Sequence, residues 1–373
     1  MGTVTDLAAR HLNLPELDIE PRHGLTMKGW DFSQAVVARA LAEGLILNPA
    51  MELFSNRCPW NCSYCFTEST FGTKKRKLSN ELSLQQRMGV LGDLARLGAR
   101  SINIVGAGEP TIDSDFFALL ECAAELGMTP IVYTEGSLRL SDMDFCRKLY
   151  DLGATLVLKV NSLWQEDYQN QILVSGDTGR KTPRYNYFKA RQKAIENLFA
   201  LDFNKENPTR LAFDTIICRE NVHEMVRLHR FARDHNIFVL MVNYLPSGRS
   251  ASGHTNAISK AEQLSVFGEL AQIDKEEYGI VQRGIFPYAG AQPCLIRGTG
   301  LYVKINGDVL ACPGETEPVG SILDSPLAEI WNRLLDVRAS FDGGCAPRER
   351  FWAGLNNDEY PRGDSYREGI AAL

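Results

Sequence analysis

Between about residues 50 and 250, short β-rich runs alternate with longer amphipathic helical patterns, and this alternation restricts the fold more than any other property of the chain. The β-rich runs are 51–55, 101–105, 130–134, 155–160, 211–217 and 238–245; the helical stretches between them include 84–97, 115–126, 142–152, 189–201 and 222–235. Six strands, each followed by a helix or a long loop, imply parallel βαβ units with right-handed crossovers. Six units are fewer than the eight that close a TIM barrel, so the expected fold is α/β, an open, partial (βα)6 TIM-like barrel with its site at the C-terminal ends of the strands.

The flanking segments read differently. Residues 1–49 carry short amphipathic pieces interrupted by Pro15, Pro21 and glycines, which suggests an N-terminal helical extension packed on the barrel of residues 50–250. A helical linker is expected over 251–284. From about 285 the pattern becomes LYVKI-NG-DVLACP, where Asn306-Gly307 signals a type I′ hairpin, so a small C-terminal β-hairpin/α subdomain is expected over 285–350. Residues 351–373 are polar and tail-like, with no assigned role.

With 44% hydrophobic and 23% charged residues over 373 positions, the chain has an ordinary globular composition. No apolar run approaches the roughly 18 residues of a membrane helix, and the N-terminus lacks a signal pattern, so a cytoplasmic protein without a membrane partner is expected. A net charge of -6 gives no pull toward nucleic acid. The run Lys74-Lys75-Arg76-Lys77 is the local exception: it reads as a solvated loop, or as a dock for an acidic electron donor or a substrate phosphate.

Nine cysteines without a secretion signal point to metal binding or buried thiols, not to disulfides. Cys58, Cys62 and Cys65 form C-x3-C-x2-C directly after the first strand. Three thiolates in one short loop can bind three irons of a 4Fe-4S cubane and leave the fourth iron open to a non-protein ligand. A zinc knuckle would close four ligands, and no fourth Cys or His lies near this triplet in sequence.

This loop resembles the hallmark of the radical S-adenosylmethionine (SAM) superfamily, and the resemblance spans roughly residues 50–250. It implies that the open iron is chelated by the amino and carboxylate groups of SAM, and that electron transfer yields methionine and a 5′-deoxyadenosyl radical. Tyr64 matches the family's aromatic position against adenine. Gly106-Ala107-Gly108-Glu109-Pro110 resembles the GGE segment that binds the SAM amino group, where glycines permit close backbone approach and a carboxylate complements an ammonium. Glu135 stands where many relatives carry Asn after the third strand, which leaves its role open. Lys159, Asn161 and Ser162 occupy positions that contact the SAM ribose and carboxylate in relatives. Arg219 is a candidate carboxylate partner and Asn221 a candidate helix N-cap. Residues 244–249, ending in Gly248-Arg249, are similar to the family's Pro-x-Gly-Arg turn, which implies backbone closure over SAM, with a substrate role for Arg249 as a further option.

Cys294, Gly307 and Cys312 fit C-x12-G-x4-C, and Cys345 follows. This is similar to the opening of the twitch and SPASM subdomains and implies a second, auxiliary 4Fe-4S cluster. The C-x2-C-x5-C run of a full SPASM domain is absent, so one auxiliary cluster is expected, its fourth iron closed by a non-cysteine group or open to substrate. Unligated core thiols are the alternative. Cys122 and Cys146 read as small buried hydrophobes. Cys218 reads as core packing or, as in epimerases of the family, a hydrogen-atom donor. His223, His229 and His235 are assigned to a surface helix without a catalytic role.

The resemblance implies an enzyme acting on a small molecule (a sugar, aminocyclitol or nucleoside of secondary metabolism) by dehydrogenation, epimerisation or rearrangement. Lys159 or Asp214 would serve as base and a flavodoxin or ferredoxin-type protein as electron donor. A peptide- or protein-modifying maturase is the alternative, weakened by the roughly 49 residues before the first strand, where such enzymes often carry a recognition domain. A non-catalytic iron-sulfur electron carrier is the third, and leaves residues 106–110 without a purpose.

Overall fold

The computed structural model describes residues 23–67, 75–174, 185–244, 248–250, 256–281 and 295–339. Six parallel strands follow one another across one sheet: β1 (Ala50–Met51), β2 (Ser101–Ile104), β3 (Thr129–Thr134), β4 (Thr155–Lys159), β5 (Leu211–Ile216) and β6 (Phe238–Val242). Helices α1 (Gln34–Glu43), α2 (Leu84–Arg96), α3 (Phe116–Glu125), α4 (Met143–Asp151), α5 (Glu166–Val174), α6 (Tyr187–Ala200) and α7 (Met225–Asp234) precede or connect them. The sequence writes the starts of several helices. Ser83 and Gln86 form a capping box at α2, Asp142 accepts amide hydrogen bonds at α4, and Asn186 accepts one at α6.

Alternation along the strands sorts side chains to two faces. Ile104, Val132, Leu156, Leu158, Phe213, Val239 and Met241 face the helices in the main core, with Leu91, Leu94, Leu120, Leu149 and Leu198 packed there. Burying each such leucine stabilises the fold by roughly 1.5–3 kcal/mol. Ile131, Val157, Ala212, Phe238 and Leu240 form a second cluster on the concave face. The architecture is thus the expected α/β partial barrel.

The N-terminal mouth of the barrel is plugged by residues 23–31. Met27, fully buried, sits in the concave cluster and bridges in parallel to Thr209. The Trp30 indole donates to Asn103 Oδ1 at 2.8 Å, and the Gly29 carbonyl accepts from Ser101 Oγ at 2.8 Å. With that end filled, the other mouth is the open one.

The C-terminal hairpin joins the same sheet. β7 (Tyr302–Val303) runs parallel to β1, and β8 (Asp308–Leu310) and β9 (Gly320–Ser321) follow antiparallel, giving the order β6-β5-β4-β3-β2-β1-β7-β8-β9. Its turn differs from the expected type I′. Gly307 has φ 93° while Asn306 stays out of the left-handed region, and Lys304 accepts from Gly307 N at 2.9 Å while donating to the Asp308 carbonyl at 2.8 Å. This is a three-residue loop, a type I turn closed by a left-handed glycine. Glu52 fastens it to the barrel, accepting from Tyr302 Oη at 2.6 Å and from Ile305 N at 2.9 Å.

The histidine helix is not a free surface element. α8 (Lys260–Glu277) packs on α7, and fully buried Asp274 bonds His229 Nε2 at 2.6 Å and both Nε and Nη2 of Arg233 at 2.8 Å. Arg233 also donates to the carbonyls of His23 and Gly24, tying the N-terminal plug to both helices. No described helix is long and apolar enough to cross a membrane.

Candidate active site at the C-terminal mouth

The cysteine loop leaves β1 and folds over the open mouth, held from several sides. Glu81 gathers its start, accepting from Ser55 Oγ at 3.2 Å and from Asn56 N at 2.9 Å. Inside the loop, Cys65 N donates to the Cys62 carbonyl at 3.2 Å, and Asn61 N donates to the Leu173 carbonyl at 3.1 Å. From the β2 side, Glu109 N donates to the Arg57 carbonyl at 2.8 Å, and a Cβ on Gly108 would lie 1.9 Å from that oxygen. Glycine is the residue that permits this approach.

From the β6 side, Gly248 (φ 57°) sits where a Cβ would lie 2.4 Å from the Cys65 carbonyl oxygen. Arg249 N donates to that same carbonyl at 3.0 Å, and its guanidinium donates to the Cys62 carbonyl at 2.5 Å. The turn after the last barrel strand is therefore clasped to the loop after the first. Arg249 is committed to this backbone.

Burial pushes the Cys58 thiol well above its ordinary range, helped by Cys62 and Glu109, and pushes Cys62 up to about 12, helped by Cys65. Desolvated thiols of this kind ionise against metal, and three of them on one loop suit a 4Fe-4S cluster. Among the described residues no group of three or more His, Cys, Asp or Glu is placed to hold one metal ion. A cubane makes no such demand, because its thiolates go to different irons.

Beneath the loop, strand ends supply the walls. Lys159 and Asp214 are register partners on β4 and β5, continue the concave-facing parity of Val157 and Ala212, and form an ion pair of 2.8 Å. The Lys159 ammonium lies 4.7 Å from the centroid of the Tyr64 ring. Asn161 Nδ2 donates to Tyr64 Oη at 3.2 Å while its Oδ1 accepts from Ile216 N at 3.0 Å. Tyr64, Lys159, Asp214 and Asn161 are thus brought together under the cysteines.

Residues 106–110 form the adjoining wall. Glu109 accepts from Thr111 Oγ1 at 2.7 Å, Thr134 Oγ1 at 2.6 Å and Glu135 N at 2.9 Å, and Pro110 opens the short turn it caps. Gly106 and Ala107 both have positive φ, 79° and 29°. Glu135 is buried and bends away from the mouth, accepting from Leu138 N at 2.7 Å and Ser137 Oγ at 2.5 Å. Burial, then the charge of Glu109, pushes its carboxyl up to about 8.

Other candidates sit apart or serve the frame. Ser162 Oγ accepts from Trp164 N at 3.1 Å and Gln165 N at 2.9 Å, leading into α5. Asn221 stands at the N-cap position of the short turn 222–224 without a side-chain capping bond; it accepts from Cys218 N at 2.8 Å and donates to the carbonyls of Asn161 and Ile216, stitching the ends of β4 and β5. Arg219 is exposed, its guanidinium donating to the Ala257 carbonyl at 3.2 Å. Cys218 is fully buried, 3.1 Å from Tyr168 Oη, and burial pushes its thiol up to about 11. Cys312 is buried just past β8; Cys294 and Cys345 lie outside the described residues.

The sequence reading missed three residues here. Tyr187 Oη donates to the carbonyls of Glu135 and Lys159 and spans the ends of β3 and β4. Tyr168 meets Cys218, and Lys75, inside the basic run, is only 8% exposed. No spacing rule marks such residues, because their partners are brought close by the barrel and not by the chain.

Residues 53–232 match the family model described as the Radical SAM superfamily. Among curated proteins, the chain is 22% identical over 286 residues to a radical SAM cyclopropyl synthase, TigE, of Paramaledivibacter caminithermalis, covering 72% of this chain and 58% of that one. It is 24% identical over 241 residues to the GTP 3′,8-cyclase of Staphylococcus carnosus, covering 61% of this chain and 64% of that one. It is 32% identical over 103 residues to the Fe-coproporphyrin III synthase of Methanosarcina barkeri, covering 28% of this chain and 24% of that one. Each match spans less than two thirds of the relative's length. Among solved structures, Streptococcus suis SuiB bound to S-adenosylmethionine superposes with a TM-score of 0.56 at 16% identity, over 81% of this chain and 70% of that one. Native anSMEcpe with bound AdoMet superposes with a TM-score of 0.58 at 15% identity, over 82% of this chain and 84% of that one. These two likenesses establish the fold.

Proposed function

We propose that the chain, whose residues 53–232 match the Radical SAM superfamily model, is an enzyme of that superfamily and uses a 4Fe-4S cluster on Cys58, Cys62 and Cys65 to cleave SAM and abstract a hydrogen atom from a small polar substrate. The observation that carries this reading is the clasped cysteine loop lying over a mouth walled by Tyr64, Lys159 and Asp214. The cluster and SAM, once bound, supply the reductive cleavage and the carbon radical; the protein supplies the rest.

Glu109, held by three neighbouring groups, presents a fixed carboxylate for an ammonium. Tyr64 offers a ring face to a purine. Lys159 and Asp214, paired and mostly shielded from water, form a proton-transfer couple that can orient and deprotonate a substrate hydroxyl. A wall of this kind suits a polyol or nucleoside, and the match to a GTP 3′,8-cyclase supports that substrate class. Cys218, sealed behind Tyr168, would return a hydrogen atom in an epimerisation. An auxiliary cluster on Cys294, Cys312 and Cys345 belongs to the same proposal, as does a flavodoxin or ferredoxin-type donor.

The test is to reconstitute the protein anaerobically, reduce it with dithionite in the presence of SAM, and quantify 5′-deoxyadenosine and methionine. Both products are expected from the wild type and neither from Cys62→Ala. A wild-type chain carrying about four irons or more that binds SAM and still yields neither product would overturn the reading. Deuterium transfer into 5′-deoxyadenosine from perdeuterated nucleosides, cyclitols and peptides then identifies the substrate class; transfer from peptides alone would replace the small-molecule assignment.

A further inference from the structure

Lys75 is out of character with its neighbours in the basic run. Arg76 and Lys77 are exposed, whereas Lys75 is 8% exposed and its backbone bridges in antiparallel fashion to Cys58. Among the described residues its ammonium donates only to neutral acceptors, the hydroxyl of Thr67 and the carbonyl of Ala107. A buried ammonium without an anion carries a desolvation cost that two neutral acceptors offset only in part.

Among the described residues no carboxylate forms an ion pair with it. Glu109, a carboxylate of the adjoining wall, is held by Thr111, Thr134 and Glu135 and forms no ion pair with Lys75. Among the described residues, the cysteines remain. Thr67 Oγ1, which accepts from Lys75, lies 3.6 Å from Cys65 Sγ, so the ammonium stands one hydroxyl away from that sulfur. Its backbone pairing with Cys58 holds the side chain beside the same loop. Two cations that reach the loop from other strand ends are engaged elsewhere, Lys159 with Asp214 and Arg249 with the Cys62 carbonyl.

We propose that Lys75 is the built-in counter-charge of the cluster held by Cys58, Cys62 and Cys65, and that it sets how readily that cluster accepts an electron. The inference rests on the cluster assignment above. A thiolate-bound cubane becomes more negative on reduction, and a fixed cation one hydroxyl away from one of its sulfurs favours the reduced form. Lys75 is a positioning and tuning residue that acts through the cluster.

The experiment is an EPR-monitored redox titration of the reconstituted holoenzyme, comparing wild type with Lys75→Met, Lys75→Arg and Lys77→Met. At a fixed potential, the reduced-to-oxidised ratio of the Lys75→Met cluster should fall at least tenfold, which is about 59 mV for a one-electron couple. Lys75→Arg should stay within about twofold of wild type, and Lys77→Met should not move. A Lys75→Met chain with full iron that titrates with the wild type would overturn the inference. If Lys75→Met stays folded but loses its iron, retention by Lys75→Arg supports the charge role, and loss there too overturns it. A wild-type chain that takes up no iron would remove the cluster reading itself, a failure distinct from an unmoved potential.

Discussion

Glu135 and Gly108 show how much a single position contributes at this mouth. The Glu135 carboxyl is raised from 4.5 to about 8, by burial first and by Glu109 second. Its folded value lies above its unfolded one, so the stability it contributes is fully present below about 4.5 and is lost as pH rises through about 8. Glu135→Gln keeps the neutral form at every pH. Melting temperatures should show their smallest gap below about pH 4.5 and diverge in the variant's favour as pH rises from about 4.5 to about 8, with no further change above that; parallel curves would show that the group does not titrate there. Gly108→Ala forces a methyl to within 1.9 Å of the Arg57 carbonyl oxygen, so the cysteine loop must shift. We expect that variant to lose about 1–3 kcal/mol in denaturant melts and most of its iron on reconstitution. The cysteines, Glu109 and Lys159 were legible in the sequence because short motifs mark them. Lys75 was not, since a run of four basic residues reads as solvated whether or not one of them turns inward.

At the scale of elements, the Arg233–Asp274–His229 cluster joins the N-terminal plug, α7 and α8. Burial alone would raise the Asp274 carboxyl, but hydrogen bonds from His229 and Arg233 outweigh it and hold the group below the usual carboxylate range. Burial lowers His229 from 6.5, so the unfolded chain binds the extra proton first and this contribution to stability is lost as pH falls below about 6.5. His229→Gln should flatten the stability profile on that side, measured by urea titration between pH 5 and 8. Asp274→Ala leaves the Arg233 guanidinium buried without its anion and should cost about 3–5 kcal/mol. The helices on either side were readable from apolar period and capping residues. The plug was not, because residues 23–31 have no period; they are held by the Ser101 and Thr155 hydroxyls donating to the Gly29 and Lys28 carbonyls and by the Trp30 indole donating to Asn103, partners that only the assembled barrel presents. The hairpin turn was misread for a related reason: Asn306-Gly307 suits two loop lengths, and the register of β7 against β8 is that of the three-residue one.

For the molecule as a whole, the clasp between Arg249 and the cysteine loop makes the two ends of the parallel barrel depend on one another. A group bound to that loop in the folded state alone stabilises everything clasped to it. Stripping iron from the reconstituted enzyme with a chelator should therefore lower the melting temperature of the entire barrel in one transition, read by circular dichroism. A separate low-temperature transition, with the main one unmoved, would show that the loop melts alone. The barrel count, the parallel order and the location of the site were all legible from alternation, since βαβ handedness leaves few other arrangements.

The pairing of β7 with β1 has a practical consequence. A shortened version ending at the last barrel strand looks attractive for expression, yet it would strip β1 of its neighbour and leave Glu52 without Tyr302. The naked ladder of amides and carbonyls would then template association between copies, as unprotected sheet margins do. Anyone trimming this chain to its shared domain should expect inclusion bodies, and should carry the hairpin along.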